Sequence, residues 1–192
     1  MKYKYLIYLL PLLIIVGCKL ILGISNPKDE SKKELYTYLL KNGIDTTNSF
    51  VFYKPAFDSI SELPFKADWP DGFRPIQFMA FDSSGSLVSK YASCEGSYKK
   101  LEILKSYPPE NIWPIDSTEN FKSHLKMYRN YDGSEIRLNP ENGDLNIIVY
   151  WGKWMGRYGK ELLLDLKAYK SENTEHKINI FKVNVGEYYI TE

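Results

Sequence analysis

Toward the C-terminal end, Trp151-Gly152-Lys153-Trp154-Met155-Gly156-Arg157-Tyr158 follows an unbroken apolar run from Leu145 to Tyr150 and leads into a leucine-rich segment. A buried strand that turns through small residues straight into a helix sets its turn at the open end of a sheet, a usual place for chemistry in α/β proteins. No cysteine stands in this turn, and neither the thioether of Met155 nor the phenol of Tyr158 exchanges disulfides.

The remaining reactive residue types are few and scattered. Two cysteines, Cys18 and Cys94, could form one bridge at most, which excludes a disulfide scaffold and the multi-cysteine zinc patterns. A lone Cys94 could be a redox sensor or form a mixed disulfide if a cation lowered its pKa, with Lys90, Lys99 and Arg157 as candidates. Its commoner use is as a small buried hydrophobe. His124 and His176 have no second histidine or cysteine at ligand spacing, so neither a metal nor another cofactor is expected. Glu161 and Asp165 suit a solvated helix face better than a catalytic pair. No serine stands in a GxSxG turn, and Gly152, Gly156 and Gly159 lack both the lysine-hydroxyl pair of a phosphate loop and the dinucleotide spacing.

The whole chain sets broader limits. Its 192 residues allow one domain with a proper core, and a net charge of +1 carries no nucleic-acid footprint. Sixteen tyrosines and four tryptophans can fill a core or make a contact surface. A glycan contact through Trp113, Trp151 and Trp154 would rest on that composition alone. Lys2 and Lys4 precede an apolar run from Tyr5 to Val16, the form of a secretory signal peptide. Ile15-Val16-Gly17-Cys18 resembles the lipobox of bacterial lipoproteins, which implies cleavage before Cys18 and its lipidation. The alternative is an uncleaved anchor, because Leu20 to Ile24 extends the apolar stretch toward the roughly 20 residues that span a bilayer. Either reading makes residues 1–24 a targeting or anchoring segment, tethers the chain to a bacterial membrane, and sets residues 25–192 in the envelope, facing the periplasm or the outside.

The elements that must position the turn follow from periodicity and caps. A polar tether, residues 25–33, precedes a helix with Ser31 and Glu34 as a capping box and Leu35, Tyr38 and Leu39 on one face, stopped at Asn42-Gly43. A strand from Ser49 to Lys54 is expected next, then a loop rich in proline and aromatics reaching Asp71-Gly72. Ile76 to Asp82 and Leu87 to Ala92, joined through Ser-Ser-Gly, form a hairpin. Ser97 opens a helix carrying Tyr98, Leu101 and Leu104 that Pro108-Pro109 ends. Asp116 with Glu119 caps a helix with Phe121, Leu125 and Tyr128 at i, i+4 and i+7, and Tyr131-Asp132-Gly133 turns the chain. A helix from about Gly156 to Lys170 and a buried strand from Lys177 to Val185 complete the order.

WGKWMGRYGK resembles the active-site turn of the thioredoxin superfamily, in which two tryptophans lead into a CxxC dithiol at the start of a helix; the cysteine positions are Met155 and Tyr158. The stretch from Tyr131 to Met155 is similar to the redoxin, TlpA-like branch over its whole length, and Lys177 to Val185 matches that family's next strand. The first half resembles the family's other end, with Pro75 where a cis-proline would stand before the hairpin. The resemblance therefore implies an α/β, thioredoxin-like central mixed sheet flanked by helices and circularly permuted, residues 31–107 matching the family's C-terminal half and 117–192 its N-terminal half. Residues 110–116 have no counterpart. Two small α/β halves that pair between molecules are the alternative.

By the same resemblance the proton-accepting carboxylate expected six residues before the first cysteine position is Val149. Trp151, Trp154, Gly156, Arg157, Arg74 and Pro75 would line a surviving groove for extended polypeptide, held by β-augmentation. The expectation is a non-catalytic binding or adaptor module for an unidentified protein or peptide. The alternative is a one-cysteine thiol enzyme or redox sensor built on Cys94.

Overall fold

The computed structural model describes residues 23–26, 28, 30–61, 76–93, 102–112, 114, 115 and 118–186. Arg74, Pro75, Cys94, Cys18, Trp113 and Asp116 lie outside that set. The helices are α1 (Lys32–Lys41), α2 (Lys54–Ser61), α3 (Phe121–Leu125) and α4 (Gly156–Glu172). The strands are β1 (Ser49–Phe52), β2 (Ile76–Asp82), β3 (Leu87–Ser93), β4 (Tyr128–Arg129), β5 (Leu145–Trp151) and β6 (Ile178–Asn184).

The strands form one mixed sheet in the order β3-β2-β5-β6-β1-β4. β5 runs parallel to β6 from Leu145 opposite Ile178 to Trp151 opposite Asn184, and β6 runs parallel to β1. The β2–β3 hairpin adds antiparallel to the other side of β5, with Gln77 opposite Tyr150. Both faces of the middle strands are covered, so these strands read as unbroken apolar runs instead of alternating ones. Leu145, Ile147, Val149 and Trp151 point to one face, where Leu35 and Leu39 of α1 and Leu162, Leu163 and Leu166 of α4 pack. Ile148 and Tyr150 point to the other, among Phe52, Phe81, Phe121, Leu125 and Phe181.

Local chemistry fixes the element ends. At α1 the capping box forms in both directions: Glu34 N–H donates to Ser31 Oγ at 3.3 Å and Ser31 N–H to Glu34 Oε2 at 2.7 Å. Gly43, at φ +70°, takes the left-handed turn that ends the helix. The hairpin closes through Gly85 at φ +87°. The segment after Pro109 lies along the outer edge of β3, where Ser89 Oγ donates to the Glu110 carbonyl at 3.2 Å and Lys90 N–H to Asn111 Oδ1 at 3.2 Å. Those bonds cover part of an edge that would otherwise be open to pairing.

The fold departs from the sequence reading in three places. Lys54, expected to end the first strand, and residues 55–61, expected in a loop, form α2: Pro55 is tolerated in a first turn, where its missing N–H is not needed, and Phe57 packs edge-on against Phe52. The helix expected from Ser97 is, over the described residues, a single 3-10 turn at Glu102–Lys105. α3 is capped by Asn120, whose Oδ1 accepts from Ser123 N–H at 3.0 Å, and it ends at Leu125. Tyr128 therefore leaves the helix and pairs as β4 with Phe52.

Candidate functional site

The turn between β5 and α4 is built from backbone and packing. Gly152 leaves β5, a single 3-10 turn spans Lys153–Met155, and Gly156 enters α4 at φ +58°, a backbone region that favours glycine. A methyl group on Gly152 would meet Trp154 Nε1 at 2.5 Å, and one on Gly159 would meet Met155 Cβ at 3.0 Å. The glycine spacing thus reflects close approach of ring, thioether and backbone.

Each residue singled out in this stretch has a definite place. Trp151 is fully buried (0 % exposed), its ring stacked on Tyr38 at 6.0 Å between centroids. Its Nε1 has no hydrogen-bond partner among the described residues. Met155 is also in the core, 3 % exposed, among the side chains on the opposite face of the sheet. Trp154 is half-buried and donates its indole N–H to the Val185 carbonyl at 3.2 Å, tying the turn to the end of β6. Arg157 is exposed and pairs with Glu161 one turn on, while Tyr158 is half-buried. Glu161 is more enclosed than a solvated helix face requires: its Oε2 is buried without a hydrogen-bond partner among the described residues. Val149, at the expected carboxylate position, is fully buried among hydrophobics.

The surface of the turn is therefore the half-buried Trp154, Gly156 and Tyr158 and the exposed Lys153 and Arg157. Among the described residues it holds no thiol. Residues before α1 meet this surface: Ser25 N–H donates to the Trp154 carbonyl at 2.9 Å, and Glu30 Oε1 stands 2.8 Å from Lys153 Nζ. Arg74, Pro75 and Cys94, expected near the turn, fall outside the described residues.

A second cluster, on the other face of the sheet, was not assembled by sequence spacing. Lys90 Nζ of β3 lies 2.9 Å from Glu119 Oε1, and Glu119 Oε2 lies 3.4 Å from His124 Nε2 on α3. His124 Nδ1 is 3.5 Å from the Tyr128 hydroxyl, which is 3.0 Å from that of Tyr150. Burial raises the Glu119 pKa, but the hydrogen bond from His124 and the nearby Lys90 outweigh it and hold the carboxyl down at about 2. Burial pushes the Tyr128 and Tyr150 hydroxyls above the usual phenol range, so both are neutral. The cluster is a chain of polar side chains in an aromatic core, and its inner end has no route to a reactant: Tyr128 is fully buried and Tyr150 nearly so. His176, the other histidine, stacks on Tyr107 with centroids 3.5 Å apart. Among the described residues no three His, Cys, Asp or Glu side chains are grouped to hold a metal ion, and no helix is long and apolar enough to cross a membrane.

No family model matches the chain, and neither the curated proteins nor the solved structures contain a match to it.

Proposed function

We propose that the chain is a non-catalytic binding or adaptor module of the bacterial envelope, tethered to the membrane through Cys18, with a permuted thioredoxin-like arrangement and a turn that takes extended polypeptide. The observation that carries this reading is the composition of the Gly152–Gly156 turn at the end of a central parallel strand. The position favours thiolate chemistry, yet Met155 there is a core side chain and Val149 replaces the carboxylate with a buried aliphatic group. The pairing of the β2–β3 hairpin beside β5, and of β6 on its other side, is what joining the two halves into one sheet requires.

The exposed remainder of the turn has the character of a peptide contact: a half-buried indole and two cations. The test is fluorescence anisotropy of the full chain in detergent micelles with a fluorescein-labelled, reduced and carboxymethylated polypeptide. Saturable binding that weakens about tenfold in Trp154→Ala supports the reading, since interface tryptophans commonly carry that much. Absence of binding, or binding indifferent to Trp154→Ala, rejects it.

A further inference from the structure

The polar residues between the N-terminal apolar stretch and α1 read as a spacer, yet they are held at both ends. A methyl group on Gly23, at φ +66°, would stand 3.7 Å from Gly156 Cα, an ordinary van der Waals contact. Two residues on, the Ser25 amide donates to the Trp154 carbonyl at 2.9 Å. Glu30, whose side chain is 10 % exposed, places Oε1 2.8 Å from Lys153 Nζ. It directly precedes Ser31, the cap of α1, and α1 lays Tyr38 on Trp151. Backbone, charge and ring contacts all lead to the same few residues of the turn.

We propose that Ser25 and Glu30 form a latch: they occupy the backbone acceptor and the cation of the Lys153–Trp154 edge, and a second extended chain gains these groups only when the two contacts release. The proposal rests on the polypeptide-binding reading and adds to it an occupant from the chain itself. A single amide bond and one ion pair with Lys153 partly exposed make a weak hold, as a displaceable latch needs. Four residues lie between Cys18 and Gly23, so an anchor at Cys18 would keep Gly23 within about 18 Å of the membrane surface.

The experiment follows amide exchange of Ser25 by NMR in the full chain in detergent micelles, together with anisotropy of the same carboxymethylated polypeptide. In the wild type the Ser25 amide is protected. Glu30→Lys, which sets two cations face to face, lowers that protection roughly 3- to 10-fold and tightens capture of the probe by a similar factor. The double variant Glu30→Lys/Lys153→Glu restores both, which a merely misfolded single variant would not. A Ser25 amide that exchanges at the unprotected rate in the wild type overturns the latch. Protection that falls and recovers as expected while capture stays constant overturns the gating alone, whereas absence of capture in every variant overturns the polypeptide-binding reading beneath it.

Discussion

The turn between β5 and α4 and the polar chain from Lys90 to Tyr150 are held by opposite means. The turn depends on glycine geometry, a buried tryptophan and a buried methionine, and its polar surface is backbone plus exposed cations. The other cluster is made of titratable side chains contributed by β3, the loop before α3, α3 itself, β4 and β5. One has the position for chemistry without the groups. The other has groups that would suit proton transfer, but its inner end is sealed among Phe52, Phe81 and Phe121. Chemistry at a sheet end needs both, and among the described residues neither region combines them.

The comparison can be broken most forcefully at Trp151. Trp151→Ala removes the ring that joins β5 to α1 and is expected to cost about 3–5 kcal/mol in chemical denaturation; a loss below about 1 kcal/mol would mean that the ring is not part of the core. Next in size, Glu119→Ala removes a carboxylate that stands 2.9 Å from the ammonium of Lys90, a residue 5 % exposed. A loss of about 2 kcal/mol is expected, read as a fall in melting temperature. Gly156→Ala places a side chain at φ +58° and should cost about 1–2 kcal/mol, again by denaturation.

The pH dependence separates the regions more finely. The folded Glu119 pKa, about 2, lies below its ordinary value of 4.5, so its contribution is fully present above pH 4.5 and is lost as pH falls toward 2. Denaturation midpoints of Glu119→Gln should therefore fall less than those of the wild type across that window, whereas Gly156→Ala should fall in parallel with the wild type. The smallest effect is expected at the cap of α1, where Glu34→Gln, which weakens the capping box, should cost about 0.5 kcal/mol or less.

What could be read ahead of the structure was whatever repeats locally. β5 and β6 are seven-residue strands in apolar runs, the hairpin carries its own glycine turn, and Ser31 with Glu34 signals the start of α1. α2 was hidden because Pro55 reads as a breaker unless it falls in a first turn. β4 is two residues long and exists only through its pairing with β1, so no periodicity announces it. The turn itself was legible, but whether its tryptophans face inward or outward was not: Trp151 and Trp154 share a type and a neighbourhood, and the pleat of β5 sends the first into the core while the 3-10 turn brings the second partly to the surface. Glu119 looked like a capping residue because Lys90, which engages it, lies 29 residues away on β3, and His124 lacked a ligand partner by spacing because its neighbours Glu119 and Tyr128 are not histidine or cysteine. The tether's contacts escaped for the same reason, since a polar segment gives no sign of which backbone carbonyl it will meet.

The measurement that bears most directly on the central claim is insulin-disulfide reduction by the full chain, in the wild type and in Cys94→Ser. A turn without a dithiol predicts a rate equal to the protein-free blank in both. Clear reductase activity in the wild type that vanishes in Cys94→Ser would contradict it, and would make Cys94 the centre of a thiol enzyme.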